Sequence, residues 1–433
     1  MRTIGNLSAT NWRDLPAILR SLLPLGGLLD GPQITAFEND FVAFQGGGHA
    51  VSFRAARMGL SAILQAAGLK AGDEVLVTGF TCVVVPNAAI FQGIRPVYVD
   101  IDPDTFNMIP EDVERKITDR TRAIIIQSSF GMPPDFDAIL PIARQHGLFV
   151  IEDNALSMGA RYHGKLLGTL GDAAIFSGEQ TKSISIAKGG LAYTSSEAFA
   201  EKLREIRKSA AWPEPATVRK ELGFMANLAL LQGPGLYKYT LPEYYLRRLG
   251  LIYLSEWQGQ EWTCAEPANY MQRLSNAHAR VGRSQLRQLP RLMAKRRHYA
   301  DLYRERLAEM GYRLPKVLPD CEPSIVTFPL LVKDRDHLRT YMRARDIMLG
   351  DWFQAPVHPT KVKPEDAMYH AGSCPNAEQV SRHVVNLPTH VRMTDADANR
   401  LIAALAQYNA EFPEFAPQPD NPVWPFEASI PSP

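Results

Sequence analysis

Residues 151–190, IEDNALSMGARYHGKLLGTLGDAAIFSGEQTKSISIAKGG, gather the groups most able to do chemistry. Asp153 and Asn154 close a short apolar run. A glycine-rich stretch follows, then a second apolar run, AAIFS, which ends at Ser177. Lys182 stands twenty-nine residues after Asp153, and Gly189-Gly190 close the segment. A lysine can hold an aldehyde as a Schiff base and then carry a proton. A carboxylate at a buried strand end can keep a pyridine nitrogen protonated, so that the ring withdraws electrons. Hydroxyl and backbone N–H donors can hold a phosphate. Together these are the requirements of pyridoxal phosphate (PLP) chemistry. Taken singly, each residue has a plainer reading. Lys182 and Lys188 are surface lysines by default, Asp153 is a helix cap or polar strand end, and Ser177 is a strand-end hydrogen bond.

The elements around the segment must place these groups. From about residue 50 to 195, helical and strand patterns alternate. RMGLSAILQAAGL is apolar at helical spacing, with Gly68 as its C-terminal stop. EVLVTGF, RPVYVDID, RAIIIQSSF and LFVIEDNA read as strands. PNAAIFQGI, PEDVERKI and DFDAILPIARQHG read as the helices between them. This alternation predicts an α/β fold, with a mostly parallel sheet flanked by helices. Ligands of such sheets sit beyond the carboxyl ends of the strands. Asp100, Asp102, Ser128, Asp153 and Asn154 all fall there.

Residues of about 205–262 break the rhythm and read as an insertion rich in Leu, Tyr and Pro, with one or two helices. It covers substrate or a subunit interface, or less readily lies on a membrane. Residues 283–311 read as one long amphipathic helix with Pro290 near its start or at a kink. TFPLLV and VNLP supply strands for a smaller C-terminal α/β domain, and Thr394 caps its late helix. The expected division is a large domain over 30–262, a small domain over 283–412 and a Pro-rich tail over 413–433, which packs irregularly or frays.

The 433 residues allow about two or three domains. A formal net charge of +1 gives no broad basic field for a nucleic acid. With 45% hydrophobic and 21% charged residues, the chain can bury a large core. Cys82, Cys264, Cys321 and Cys374 are far apart, so neither a disulfide framework nor a zinc ribbon is expected. No metal site is expected either. The Asp100/Asp102 pair has no His or Cys beside it and reads as a strand-to-turn junction. The N-terminus shows no signal-peptide pattern, and no apolar run reaches about 18 residues. A cytoplasmic setting is therefore expected.

Several segments, in this order and spacing, resemble the DegT/DnrJ/StrS sugar aminotransferases, PLP enzymes of fold type I. They are GDEVLVTGFTCVVVPNAAIFQGIRPVYVDIDPDTFN, IEDNA, GDAAIFSGEQTK followed by GG, RLSNAHARVGRSQL and NLPTHVRMTDAD. The resemblance spans about residues 30–200 and 265–410. It implies that Lys182 is the Schiff-base lysine and proton shuttle, that Asp153 faces the pyridine nitrogen, and that Ser177 bonds the phosphate. It also implies that Arg273 reaches in from a neighbouring subunit, so that at least a homodimer is expected. The phosphate loop reads Ala55-Ala56-Arg57-Met58-Gly59-Leu60. There the helix N-terminal amides at Ala56 can hold phosphate, while Arg57 adds a charged contact or points to solvent. The family's stacking aromatic falls at Cys82, so another residue covers the ring or Cys82 packs on it. As a nucleophile Cys82 is the poorer reading. Leu156, Met271 and Glu179-Gln180 also depart from the family pattern. His358 and His390 are substrate contacts or structural histidines.

The resemblance implies an aminotransferase that moves an amino group from an amino acid, L-glutamate by analogy, to a keto group. The acceptor it implies is a nucleotide-linked keto sugar, for a polysaccharide or a secondary metabolite. Two other readings stay open. One is a PLP-dependent sugar dehydratase, against which Lys182 argues, since that branch carries histidine there. The other is a regulatory protein that keeps the fold, for which the altered phosphate loop speaks.

Overall fold

The apolar runs of the first half fold as strands because they are β-branched or aromatic, short, and closed by glycine or acidic residues. The computed structural model describes residues 4, 8–23, 27–231, 261–418 and 425–426. Its strands over the first half of the chain are β1 (His49–Phe53), β2 (Glu74–Thr78), β3 (Thr81–Cys82), β4 (Arg95–Val99), β5 (Thr121–Gln127), β6 (Phe149–Asp153), β7 (Arg161–Tyr162), β8 (Lys165–Leu166), β9 (Ala173–Ser177) and β10 (Gly190–Thr194). Four more follow: β11 (Cys321–Glu322), β12 (Thr327–Leu331), β13 (Val357–His358) and β14 (Val384–Pro388).

Seven strands make the central sheet in the order β1-β10-β9-β6-β5-β2-β4. All neighbours are parallel except at β10, which runs antiparallel to both β1 and β9. The period of two sends alternate side chains to opposite faces. On one face Val75, Val77, Ile125, Ile151 and Ile175 pack with Leu60, Ile63 and Leu64 of the Ala56–Ala66 helix. On the other, Leu76, Ile124, Ile126 and Val150 pack with Phe136 and Ile139 of the Phe136–Gln145 helix. The expected α/β architecture of fold type I is therefore the observed one.

The smaller C-terminal layer pairs β12 with β14, antiparallel. Its core joins Phe328, Leu330, Val385 and Leu387 to Tyr299, Tyr303, Leu401 and Leu405. The long helix is Asn276–Glu309, so it begins seven residues before the expected start, capped by the Ser275 hydroxyl, and Pro290 lies inside it. Thr394 caps Asp395–Glu411 in a reciprocal box with Asp397. Asp100 accepts the amides of Asn376 and Ala377 at 3.0 Å each, which places it at the start of the Pro375–His383 helix as a structural junction. In the tail, Phe426 is buried against His383, with ring centroids 5.4 Å apart. Within the expected insertion the structure shows a helix over Pro215–Leu231, and the stretch 232–260 lies outside the described residues.

The Pro215–Leu231 helix is tied to the core by charge. Glu221 Oε1 takes Arg54 Nη2 at 2.9 Å, and its Oε2 lies 3.4 Å from His278 Nε2. All three side chains are at most 5% exposed. Burial, helped by the charges of Arg54 and Lys188, pushes the His278 imidazole down to about 3. The unfolded chain takes up this proton as pH falls through 6.5, whereas the folded chain does not until about 3. Stability tied to His278 is thus full above pH 6.5 and is lost as pH falls below it. Urea midpoints measured from pH 8 to 4 should fall on acidification, and His278→Gln should flatten that slope. An equal slope in the variant would refute the assignment.

Gly190 is required where β10 passes the start of the Ala56–Ala66 helix. A Cβ there would lie 2.1 Å from the Ala56 nitrogen. Gly190→Ala should destabilise the fold by about 1–3 kcal/mol in urea titration, as overpacking does. Because it displaces the Ala56 amide, it should also weaken PLP binding measured by equilibrium dialysis. Unchanged affinity in a folded variant would count against that amide as a phosphate donor.

Candidate active site

A cleft of about 760 Å³ opens beyond the carboxyl ends of β5, β6 and β9. It is lined by Ala56, Arg57, Cys82, Asp153, Ser177 and Lys182, six of the seven residues singled out by sequence. The seventh, Arg273, lies outside the cleft lining of its own chain. Its guanidinium donates to the carbonyls of Ala210 (2.9 Å) and Lys208, at the end of the Glu197–Ser209 helix. It also stacks over Trp212 at 4.9 Å. A cation among the last carbonyls of a helix is well placed.

Asp153 is the last residue of β6 and is 3% exposed. Strand alternation turns its neighbour Glu152 the other way, onto the amides of Gly168, Leu170 and Gly171 at 2.6–2.7 Å. Burial pushes the Asp153 carboxyl up, while the Ala155 amide and the Lys182 charge both favour its ionised form against that burial.

Lys182 sits on a loop between β9 and β10. The loop is closed by Gly178 N–H to Gly189 O (2.8 Å) and Ile186 N–H to Gly178 O (2.8 Å). Arg296, buried on the long helix, donates to the carbonyls of Lys182 (2.9 Å) and Ser183 (3.1 Å). The lysine's backbone is thereby fixed and its side chain is left to move. Its Nζ lies 4.4 Å from the centre of the Trp352 ring.

The Ala56–Ala66 helix has no side-chain cap at its N-terminus. Its first residues, Ala56 and Arg57, line the cleft together with Ser177. Uncapped N–H groups and the positive end of the helix dipole suit a phosphate. With Asp153 and Lys182 in the same cleft, the donor set fits PLP. The Arg57 guanidinium is engaged elsewhere. It ion-pairs with Glu261 and lies 3.9 Å from Glu179. Glu179 also sits 3.5 Å from Lys188. Burial pushes the Glu179 carboxyl up, but Lys188, Arg57 and Lys182 outweigh it and hold the group at about 2. Arg57 is thus neither free toward solvent nor free for an anion in this state.

Burial pushes the Cys82 thiol up, which removes the thiolate a nucleophile needs. Phe353 lines the cleft with it, supplying aromatic area that Cys82 lacks. The backbone of β3 pairs with β13 and so brings His358 opposite Cys82. Burial, with Lys182 adding to it and Asp351 opposing, pushes the His358 imidazole down to about 4. His390 is buried outside the cleft lining, and its Nδ1 accepts the Arg392 amide at 3.2 Å, a local structural bond. Trp352, Phe353, Arg296, Glu221 and Glu261 were not foreseen. Only the adjacent aromatics in GDWFQAP carried a sequence signal.

The model of the DegT/DnrJ/EryC1/StrS aminotransferase family matches residues 14–233 and 244–406. A Methanocaldococcus jannaschii protein, the uncharacterised MJ1066, is 29% identical over 392 residues, 88% of this chain and 91% of its own length. Among solved structures, S. venezuelae DesV in complex with a ketimine intermediate is 27% identical. It has a TM-score of 0.73 over 94% of this chain and 99% of that one. AtS13 from Actinomadura melliaura is 25% identical with a TM-score of 0.72, over 93% and 98%. The cleft and the matched residues agree, and the chain belongs to the DegT/DnrJ/EryC1/StrS aminotransferase family, PLP-dependent enzymes of fold type I.

Proposed function

We propose that this enzyme transfers an amino group from L-glutamate to the keto group of a nucleotide-linked sugar, with Lys182 as the cofactor lysine. The observation that carries the reading is the meeting of Lys182, buried Asp153 and an uncapped helix N-terminus in one cleft. PLP supplies, when bound, an electron sink at the carbon that loses or gains the amine. The chain's own residues do the rest. The amides of Ala56 and Arg57 and the Ser177 hydroxyl hold the phosphate. Asp153 holds a proton on the ring nitrogen, stabilised there by opposite charge in a buried site. Lys182 first anchors the cofactor. It then removes a proton from the donor carbon and returns it, as general base and acid. Phe353 and Cys82 exclude water from one side of the cleft. The sugar acceptor rests on the family, in which Arg273 is also assigned to a neighbouring subunit's site. We therefore infer at least a homodimer. Among the described residues no helix is long and apolar enough to cross a membrane.

Purified protein should be yellow and should bleach on addition of L-glutamate. Lys182→Ala should lose the yellow band. Asp153→Asn should still bind the cofactor but bleach about 10²-fold more slowly or worse, the cost of removing one preorganised charge. A wild type that stays colourless with added PLP would overturn the reading. Light scattering should give a mass of at least two chains, and a monomer that still transaminates would overturn the shared site.

A further inference from the structure

We propose that Trp352 is a positioning residue whose indole face receives the Lys182 ammonium whenever that lysine is free of the cofactor. The inference rests on the reading of Lys182 as the cofactor lysine. Its Nζ stands 4.4 Å from the Trp352 ring centre, inside the range over which an indole face attracts a cation. Among the described residues Lys182 makes no salt bridge, although Asp153 and Glu179 line the same cleft. Its nitrogen has therefore settled on an aromatic face rather than on a carboxylate.

Both partners are anchored through their backbones. The Trp352 amide donates to Asn386 Oδ1 at 2.6 Å. Asn386 is fully buried in β14 and exchanges backbone bonds with Gly350 at 2.8 and 3.4 Å. Phe353 follows in the left-handed region (φ 60°), which a bulky residue adopts only when its surroundings impose it. Its ring is wedged against Phe80 at 4.9 Å and Phe130 at 5.3 Å. The Lys182 carbonyl is held by Arg296. The four-carbon stem thus extends from an anchored backbone to an indole whose own backbone is anchored.

The choice of partner has a chemical reason. A lysine that must give up a proton and later take one back is poorly served by a carboxylate salt bridge, which favours the charged form strongly in a buried site. An indole face holds the cation more weakly and takes no proton itself. It keeps the amine near the cleft without trapping it.

The test uses Trp352→Leu and Trp352→Phe beside wild type. In cofactor-free protein, lysine acetylation by acetic anhydride is followed by peptide mass spectrometry at fixed pH, with exposed Lys70 as internal reference. Lys182 should be acetylated about 3- to 10-fold faster in Trp352→Leu, with Trp352→Phe between, because the unreactive charged form has lost its partner. In PLP-loaded protein, bleaching by L-glutamate should slow in Trp352→Leu with KM little changed. The deuterium isotope effect with α-deuterated glutamate should rise. Equal acetylation rates in all three proteins would overturn the proposal, as would slower bleaching with an unchanged isotope effect. If Lys182→Ala instead keeps its yellow band, the assignment of the lysine fails, whereas the acetylation arm reads the Trp352 contact without any cofactor.

Discussion

A carboxylate buried at the end of a central strand is costly to keep ionised, and Asp153 is such a group. Its site was created by the sheet. β6 lies in the interior of seven strands, with apolar helices on both faces, so the residue at its carboxyl end is drawn out of water. The Ala155 amide and the Lys182 charge oppose that cost, and the chain brings Lys182 into the same cleft. The turn that carries Lys182, the crossing of β10 over the Ala56–Ala66 helix and the Arg296 clamp all serve that approach. The antiparallel β10 matters here. By reversing beside β9 it returns the chain through Gly189-Gly190 to the helix start, so lysine, carboxylate and amides converge.

Four cations, Arg54, Arg57, Lys182 and Lys188, line the cleft with Asp153 and Glu179. Glu221 and Glu261, outside the lining, pair with Arg54 and Arg57. Glu221 and Glu261 both belong to the segment that breaks the βα rhythm, and they occupy the two arginines at the phosphate loop. In the proposed phosphate site the Ala56 and Arg57 amides and the Ser177 hydroxyl would be the neutral donors, because the Arg57 guanidinium is already paired with carboxylates. On that proposal the altered loop relies on backbone donors, which any residue type can supply, while its Arg57 side chain is paired with Glu261 and Glu179.

This explains what was legible in the sequence. Strands such as RAIIIQ and FVIED announce themselves by local pattern, and Asp153, Ser177 and Lys182 sit at fixed offsets from them. The starts of the Ala56–Ala66 and Asp395–Glu411 helices were likewise local. Contacts made across long separations left no such mark. Glu221 reaches Arg54 from 167 residues away and Arg296 reaches Lys182 from 114. Trp352 approaches Lys182 from the C-terminal layer, so its role depends on how β14 brackets Gly350–Trp352. The long helix began seven residues early because Ser275 caps it, a short-range signal overshadowed by the charged run that starts at Arg283.

The same division, local motif against distant support, bears on the replacement of an aromatic by Cys82. A thiol in that place removes ring area from one wall of the cleft. In a close-packed interior such a loss leaves a gap unless another group fills it. Phe353, left-handed at φ 60° and packed on Phe80 and Phe130, lines the same cleft from the C-terminal layer. β3 lies outside the central sheet and pairs with β13, so a ring at Cys82 would also be held against the C-terminal segment. A ring at Phe353, with Trp352 beside it, is correctly placed only when the two layers are docked. The C-terminal segment that pairs with β3 thus carries both Phe353 of the cleft wall and the Trp352 ring beside Lys182.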